Sequence, residues 1–200
     1  MAKTPKTPGR SAPRKPTAPQ REAIVDATLA LVAERGWRPV SFADIAGAAG
    51  VSLADLYALF PDKQAVLAAY AARVDRAMLA GADEDLAAEG RRDRLFDLLM
   101  RRFDALGQDR AAVRAILADA ARDPALALGG GARLLRSMAW TLESAGIASS
   151  GIVGALRVKT LTLLYLSAMR VWVEDDSADL ARTMAAVDAR LRRAERFLGA

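Results

Sequence analysis

The sequence predicts an all-α chain built in two parts, and three observations carry that prediction. From Arg21 onward the apolar residues recur at helical spacing, as Ile24, Ala27 and Leu31 do at i, i+3 and i+7. Gly90, Gly107, Asp123-Pro124 and Gly146 fall where helices would start or stop. No stretch reads as a strand.

The first eighteen residues are the exception to the helical pattern. Five of the eight prolines, at 5, 8, 13, 16 and 19, lie here or at the boundary, among Ser, Thr and Lys. Such a composition buries too little apolar area to order itself, so residues 1–18 are expected to form a disordered arm. Lys3, Lys6, Arg10, Arg14 and Lys15 stand in it with no acid, so the arm accounts for the whole net charge of +5. Residues 19–200 are therefore neutral, and attraction for a polyanion concentrates in the arm. An amphipathic transit peptide is incompatible with this proline density. The apolar run of a secretory signal is missing too, so a cytoplasmic location is expected.

Helix one is expected over about 20–35, with Gly36 at its left-handed cap. Two Ser-led units follow, Ser41-Phe42-Ala43-Asp44 and Ser52-Leu53-Ala54-Asp55, each a capping-box-like start with Asp in place of Glu or Gln. Ala49-Gly50-Val51 lies between them, and Phe42, Ile45, Ala46, Ala49, Val51 and Leu56 are the apolar anchors. This is the pattern of a helix-turn-helix. Beyond Pro61-Asp62-Lys63, longer helices are expected at about 62–81, 91–106, 109–122, 125–146, 152–174 and 177–197. Asp176 or Ser177 would cap the last. Gly129-Gly130-Gly131 lacks the ending and the preceding strand of a phosphate loop, so it reads as a hinge or loop. The most apolar stretch, Thr160 to Met169, is ten residues between Lys159 and Arg170. That is far below the ~20 of a membrane span, and no transmembrane segment is expected.

With 52% hydrophobic and 26% charged residues, the chain has the composition of an ordinary globular protein. It contains no Cys and no His. That removes thiolate nucleophiles, imidazole bases, Ser-His-Asp triads and Cys/His zinc sites, so no enzyme, cofactor or metal site is expected. Glu174, Asp175, Asp176 and Asp179 read as solvated carboxylates favouring the positive end of the last helix, and Asp83-Glu84-Asp85 as a solvated stretch.

The segment Arg21 to Leu67 resembles the N-terminal domain of the TetR family of bacterial transcriptional regulators. The residues that carry the likeness are Arg21, Ile24, Ala27, Glu34, Gly36, then Phe42, Ile45, Ala46, Ala49, Gly50, Val51, Ser52, then Leu56, Tyr57, Phe60 and Lys63. The resemblance implies a TetR-like fold: a three-helix DNA-binding domain over 19–67 and a six-helix effector-binding and dimerisation domain over 68–200. It implies a homodimer on double-stranded DNA and a small hydrophobic effector. A second resemblance, over Ala168–Arg193 with Asp104, Arg114 and Met138-Ala139-Trp140, is to the lipid-binding protein of ubiquinone biosynthesis, which shares the TetR fold. It implies the alternative of a DNA-independent lipid or isoprenoid carrier.

Candidate DNA contacts are Ser41, Ser52, Leu53, Ala54, Tyr57 and Lys63, joined by Arg14 and Lys15 of the arm. Leu53, Ala54, Asp55, Ala58 and Leu59 occupy positions where relatives often carry Arg, Gly, Thr, an aromatic and His. Over Arg21 to Leu67 the basic residues Arg21, Arg35, Arg38 and Lys63 face the acids Glu22, Asp26, Glu34, Asp44, Asp55 and Asp62. Thymine-methyl contacts, DNA shape and the arm would then carry recognition. Phe96, Met100, Phe103, Met138, Trp140, Leu161, Tyr165 and Trp172 are candidates for lining an effector cavity, although residues of this kind at helical spacing mostly just fill a core. Leu180, Met184, Val187 and Leu191 form a seam along the last helix. With Leu163 and Leu166 of the preceding helix they are the candidate dimer interface.

Overall fold

A computed structural model describes residues 18–80 and 89–199. The basic arm with Arg14 and Lys15 lies outside the described residues, and so does Asp83-Glu84-Asp85. Among the described residues there are helices and no strands: α1 (Ala18–Arg35), α2 (Phe42–Ala49), α3 (Leu53–Leu59), α4 (Lys63–Leu79), α5 (Arg91–Gly107), α6 (Arg110–Ala120), α7 (Pro124–Ser144), α8 (Gly151–Trp172) and α9 (Ala181–Leu198).

Local chemistry sets the starts. Ser41 Oγ accepts from the Asp44 amide at 3.1 Å while the Ser41 amide donates to the Asp44 carboxylate at 2.8 Å, closing the expected capping box on α2. Ser52 Oγ accepts from the Asp55 amide at 3.1 Å, and Asp62 caps α4 through the Ala65 amide at 2.7 Å. Gly36 and Gly50 sit at φ +81° and +66°, the left-handed backbone at which α1 and α2 end.

α1 packs on α2, α4 and α6, and α4 reaches from α1 to α5 and α7. The centre of the larger part is an aromatic stack. Phe103 on α5 lies 5.1 Å from Tyr165 and 5.8 Å from Trp172, both on α8, between ring centroids.

Three expectations change here. Gly129-Gly130-Gly131 is not a loop; it lies inside α7, whose packing on α4, α5 and α8 overrides the poor helix propensity of glycine. A Cβ at Gly129 would run into the Gln64 side chain of α4, so that position serves close approach. Asp175 is fully buried rather than solvated. Its carboxylate accepts from the amide and hydroxyl of Thr183 at 2.8 and 2.7 Å and from the Ser177 hydroxyl, tying the turn before α9 to its first turn. Burial alone would raise its pKa, but these hydrogen bonds outweigh it and hold the group well below the ordinary carboxylate value. Third, the α9 seam faces inward: Leu180, Val187 and Leu191 are buried in the protomer, where α9 packs on α8 and α5, and Met184 is half-buried. These residues belong to the core. A helix on the rim of a bundle must first satisfy its own protomer, and the residues of α9 that stay outside include Ala185 and Ala189.

The helix α8 is long and apolar enough by composition to cross a membrane. Much of it is instead packed against α7 and α9, as expected of a core helix.

Candidate nucleic-acid interface and effector cavity

The chain bends by 101° between α2 and α3, within the range of a helix-turn-helix. Ile45 and Leu56 bury the inner faces of the pair. The outer face of α3 presents Leu53 at 56% and Tyr57 at 72% exposure, together with exposed Ala54 and Ala58. Ser41 and Ser52 stand exposed at the two helix starts beside it. The structure thus brings Ser41, Ser52, Leu53, Ala54 and Tyr57 to one accessible side.

Lys63 does not join them as a free cation. Its ammonium donates to the carbonyls of Trp37 at 2.9 Å and Val40 at 2.6 Å and lies 4.5 Å from the Trp37 ring centroid. Burial pushes its pKa down, against the opposing pull of Asp119, Asp123 and Asp44. Arg21 is also engaged, donating to the Leu59 carbonyl at 3.1 Å and stacking 4.3 Å from the Phe60 ring. Arg35 pairs with Asp44 at 3.6 Å. Of the basic residues counted in the sequence, these three have partners within the head, while the Arg38 side chain stands exposed. For Lys63 and Arg21 formal charge gave no sign of that division, because their partners are backbone carbonyls and ring faces, whereas Arg35 meets a carboxylate.

A second feature lies in the larger part. A cavity of about 460 Å³ opens between α4, α5, α6, α7 and α8. Leu67, Val74, Leu106, Ile116 and Met169 form much of its apolar wall. Of the eight sequence candidates, Tyr165 alone lines it. Phe103, Met138, Leu161 and Trp172 are buried elsewhere in the core, Phe96 and Met100 pack against that core, and Trp140 is 58% exposed. Aromatic and Met side chains filled the core, whereas the cavity formed where α7 presents Gly130 and Gly131. Those glycines, set aside as a hinge, were the usable signal: a helix face without side chains leaves space.

Two contacts join the cavity walls to the head. The Asp119 carboxylate at the end of α6 accepts from the Trp37 and Arg38 amides at 2.8 and 3.1 Å. Gln64 in the first turn of α4 donates to the Ala125 carbonyl of α7 at 3.2 Å.

Residues 24–70 match the family model described as bacterial regulatory proteins, tetR family. The chain is similar to a TetR transcriptional regulator from Nitrosomonas europaea ATCC 19718. The two are 28% identical, with a TM-score of 0.75, over 89% of this chain and 99% of that one. Residues 24–70 form an N-terminal domain of the TetR type. The fold of the chain is shared with a TetR transcriptional regulator from Rhodococcus sp. RHA1, 21% identical with a TM-score of 0.59, over 86% of this chain and 96% of that one. No relative is found among curated proteins. The matched segment contains α2 and α3, the helix-turn-helix of a DNA-binding transcriptional regulator.

Proposed function

We propose that this TetR-family chain is a ligand-responsive transcriptional repressor, cytoplasmic and not an enzyme, that acts as a homodimer on a pseudo-palindromic operator. The observation that carries the reading is the continuity of α4. It starts at Lys63 against the head and supplies Leu67, Tyr70, Ala71 and Val74 to the cavity wall. A ligand that fits one tilt of α4 better than another biases the position of the head, so effector and DNA oppose one another. The arm over 1–18, the DNA-binding unit over 19–67 and the effector unit over 68–200 are the working divisions.

Dimerisation through α8 and α9 is supported by an unpartnered apolar stripe. Ile152, Leu156 and Leu163 recur along α8 at 92%, 56% and 70% exposure, with Leu166 at 37% beside them. A symmetric partner covering this stripe would set two α3 helices about 34 Å apart, one duplex turn. At the duplex, Tyr57, Ser41 and Ser52 would hold phosphates while Leu53 and Ala54 meet thymine methyl groups.

Gel-shift of the DNA upstream of the chain's own coding sequence tests this, using full-length protein and protein lacking residues 1–17. Retardation at low salt that Leu163→Glu abolishes, together with the dimer, is the expected result. A lipid or isoprenoid carrier is the second reading, and the engagement of Arg21, Arg35 and Lys63 within the head favours it. No retardation by either protein, with a long apolar molecule retained in native mass spectrometry, would establish the carrier instead.

A further inference from the structure

Charge and reading face are separated in this chain. Ser41, Ser52, Leu53, Ala54, Tyr57 and Ala58, on the accessible side of the helix-turn-helix, are uncharged. The basic residues of the head, Arg21, Arg35, Arg38 and Lys63, are outnumbered by Glu22, Asp26, Glu34, Asp44, Asp55 and Asp62, and three of the four have partners there. Sequence-independent attraction for a duplex comes from cations that neutralise phosphates, so a head with this balance gains little of it. The missing charge stands in the arm. Lys3, Lys6, Arg10, Arg14 and Lys15 lie there with no acid before Glu22.

The fold fixes where that charge is attached. α1 starts at Ala18, and within its first turn Arg21 donates to the Leu59 carbonyl at 3.1 Å and stacks 4.3 Å from the Phe60 ring, at the end of α3. The arm therefore joins the head beside the C-terminal end of the helix that carries Leu53, Ala54 and Tyr57. At ~3.3–3.6 Å per residue, residues 1–17 reach at most roughly 60 Å, more than one duplex turn of ~34 Å. An acidic recess between α1, α4, α5 and α6, lined by Asp26, Asp104 and Asp109 among others, is the competing site within the chain. Arg73 pairs with both Asp26 and Asp109, so that recess already has its cation.

We infer that the arm grips phosphates beside the segment that α3 reads, so that attraction for DNA resides in residues 1–17 and discrimination between sequences in the uncharged face of α3. This rests on the DNA-binding reading above and adds which residues supply the affinity. The two contributions have different signatures. Each phosphate that a cation neutralises releases counterions, so the arm's share of the affinity falls steeply with salt. Contacts from Leu53 and Ala54 to base edges release no such ions and distinguish one sequence from another.

Fluorescence anisotropy across a salt series tests this, with the DNA upstream of the chain's own coding sequence and a mixed-sequence duplex of the same length. The full-length protein is compared with protein lacking residues 1–17 and with a full-length variant carrying Lys3→Gln, Lys6→Gln, Arg10→Gln, Arg14→Gln and Lys15→Gln. All these changes precede α1, and an unmoved unfolding midpoint shows that the fold is kept. In both variants the slope of log affinity against log salt is expected to become shallower by up to about 4.5 per arm, at ~0.9 per phosphate, on both duplexes. The ratio of affinities for the two duplexes should stay as it is in the natural chain. A slope that changes by less than about one, the share of a single phosphate, would overturn the inference and leave the DNA-binding reading standing. Tighter DNA binding by the truncated protein would overturn it too, and place the arm in the acidic recess. A ratio lost together with the slope would show that the arm also reads sequence, against the division of roles. If the natural chain retards neither duplex at low salt, the DNA-binding reading falls and takes the inference with it.

Discussion

The head and the effector unit are stabilised by contacts of different reach. In the head each helix start is fixed by residues three apart: Ser41 with Asp44, Ser52 with Asp55, Asp62 with Ala65. In the effector unit the decisive contacts are remote in sequence, as when Arg102 pairs with Asp75 and Ser137. Short-range chemistry determines where helices begin. Which face turns inward, and where space is left, depends on partners that no local window contains.

The largest effect should come from removing remote packing. Trp172 is fully buried against Phe103, and Trp172→Ala is expected to cost about 3–5 kcal/mol in denaturant unfolding. Leu53→Ala on the exposed face of α3 should leave stability within about 0.5 kcal/mol. If the two cost the same, the distinction between the regions fails.

Asp175→Ala comes next, at about 2 kcal/mol near neutral pH, the upper end for loss of a helix cap. The sign of its pH dependence is fixed. The folded pKa lies below the unfolded one, so the contribution is fully present above about pH 5 and fades as pH falls below the ordinary Asp value of about 3.9. The stability difference between the natural chain and the variant should therefore shrink on acidification. A difference that stays constant from pH 6 to pH 3 would show that the carboxylate is not the group responsible.

Between the regions sits the Asp119 clamp. Asp119→Ala frees the Trp37 and Arg38 amides, and their hydrogen exchange is expected to rise about tenfold, the equivalent of about 1.4 kcal/mol of local opening. Unchanged exchange would mean that α6 touches the head without restraining it.

These contrasts explain what could be read in the sequence. The helices, the capping box at Ser41 and the left-handed turns at Gly36 and Gly50 were legible because their signals are local. The accessible set Ser41, Ser52, Leu53, Ala54 and Tyr57 was legible for the same reason. The engagement of Lys63 was not legible, because its acceptors, the Trp37 and Val40 carbonyls, are invisible in a composition. Val187 and Leu191 were misassigned because an apolar seam at heptad spacing looks the same whether it meets its own protomer or another. The cavity was placed among large aromatics, which fill space, when Gly130 and Gly131 were the residues that create it.

The smallest effect separates two local devices within the head. Arg35 and Asp44 form an ion pair at 3.6 Å with 53% and 36% of their side chains exposed, a geometry in which solvent screens most of the attraction. The lowered pKa of Asp44 has another origin: hydrogen bonds from the Ser41 side chain and backbone come first, and Arg35 contributes less. Ser41→Ala should therefore cost about 1 kcal/mol through loss of the cap, while Arg35→Gln should leave the unfolding midpoint unmoved at both low and high salt. A midpoint for Arg35→Gln that falls at low salt and recovers at high salt would place the start of α2 under the ion pair. In that case the head would depend on a contact between α1 and α2 rather than on its own first turn.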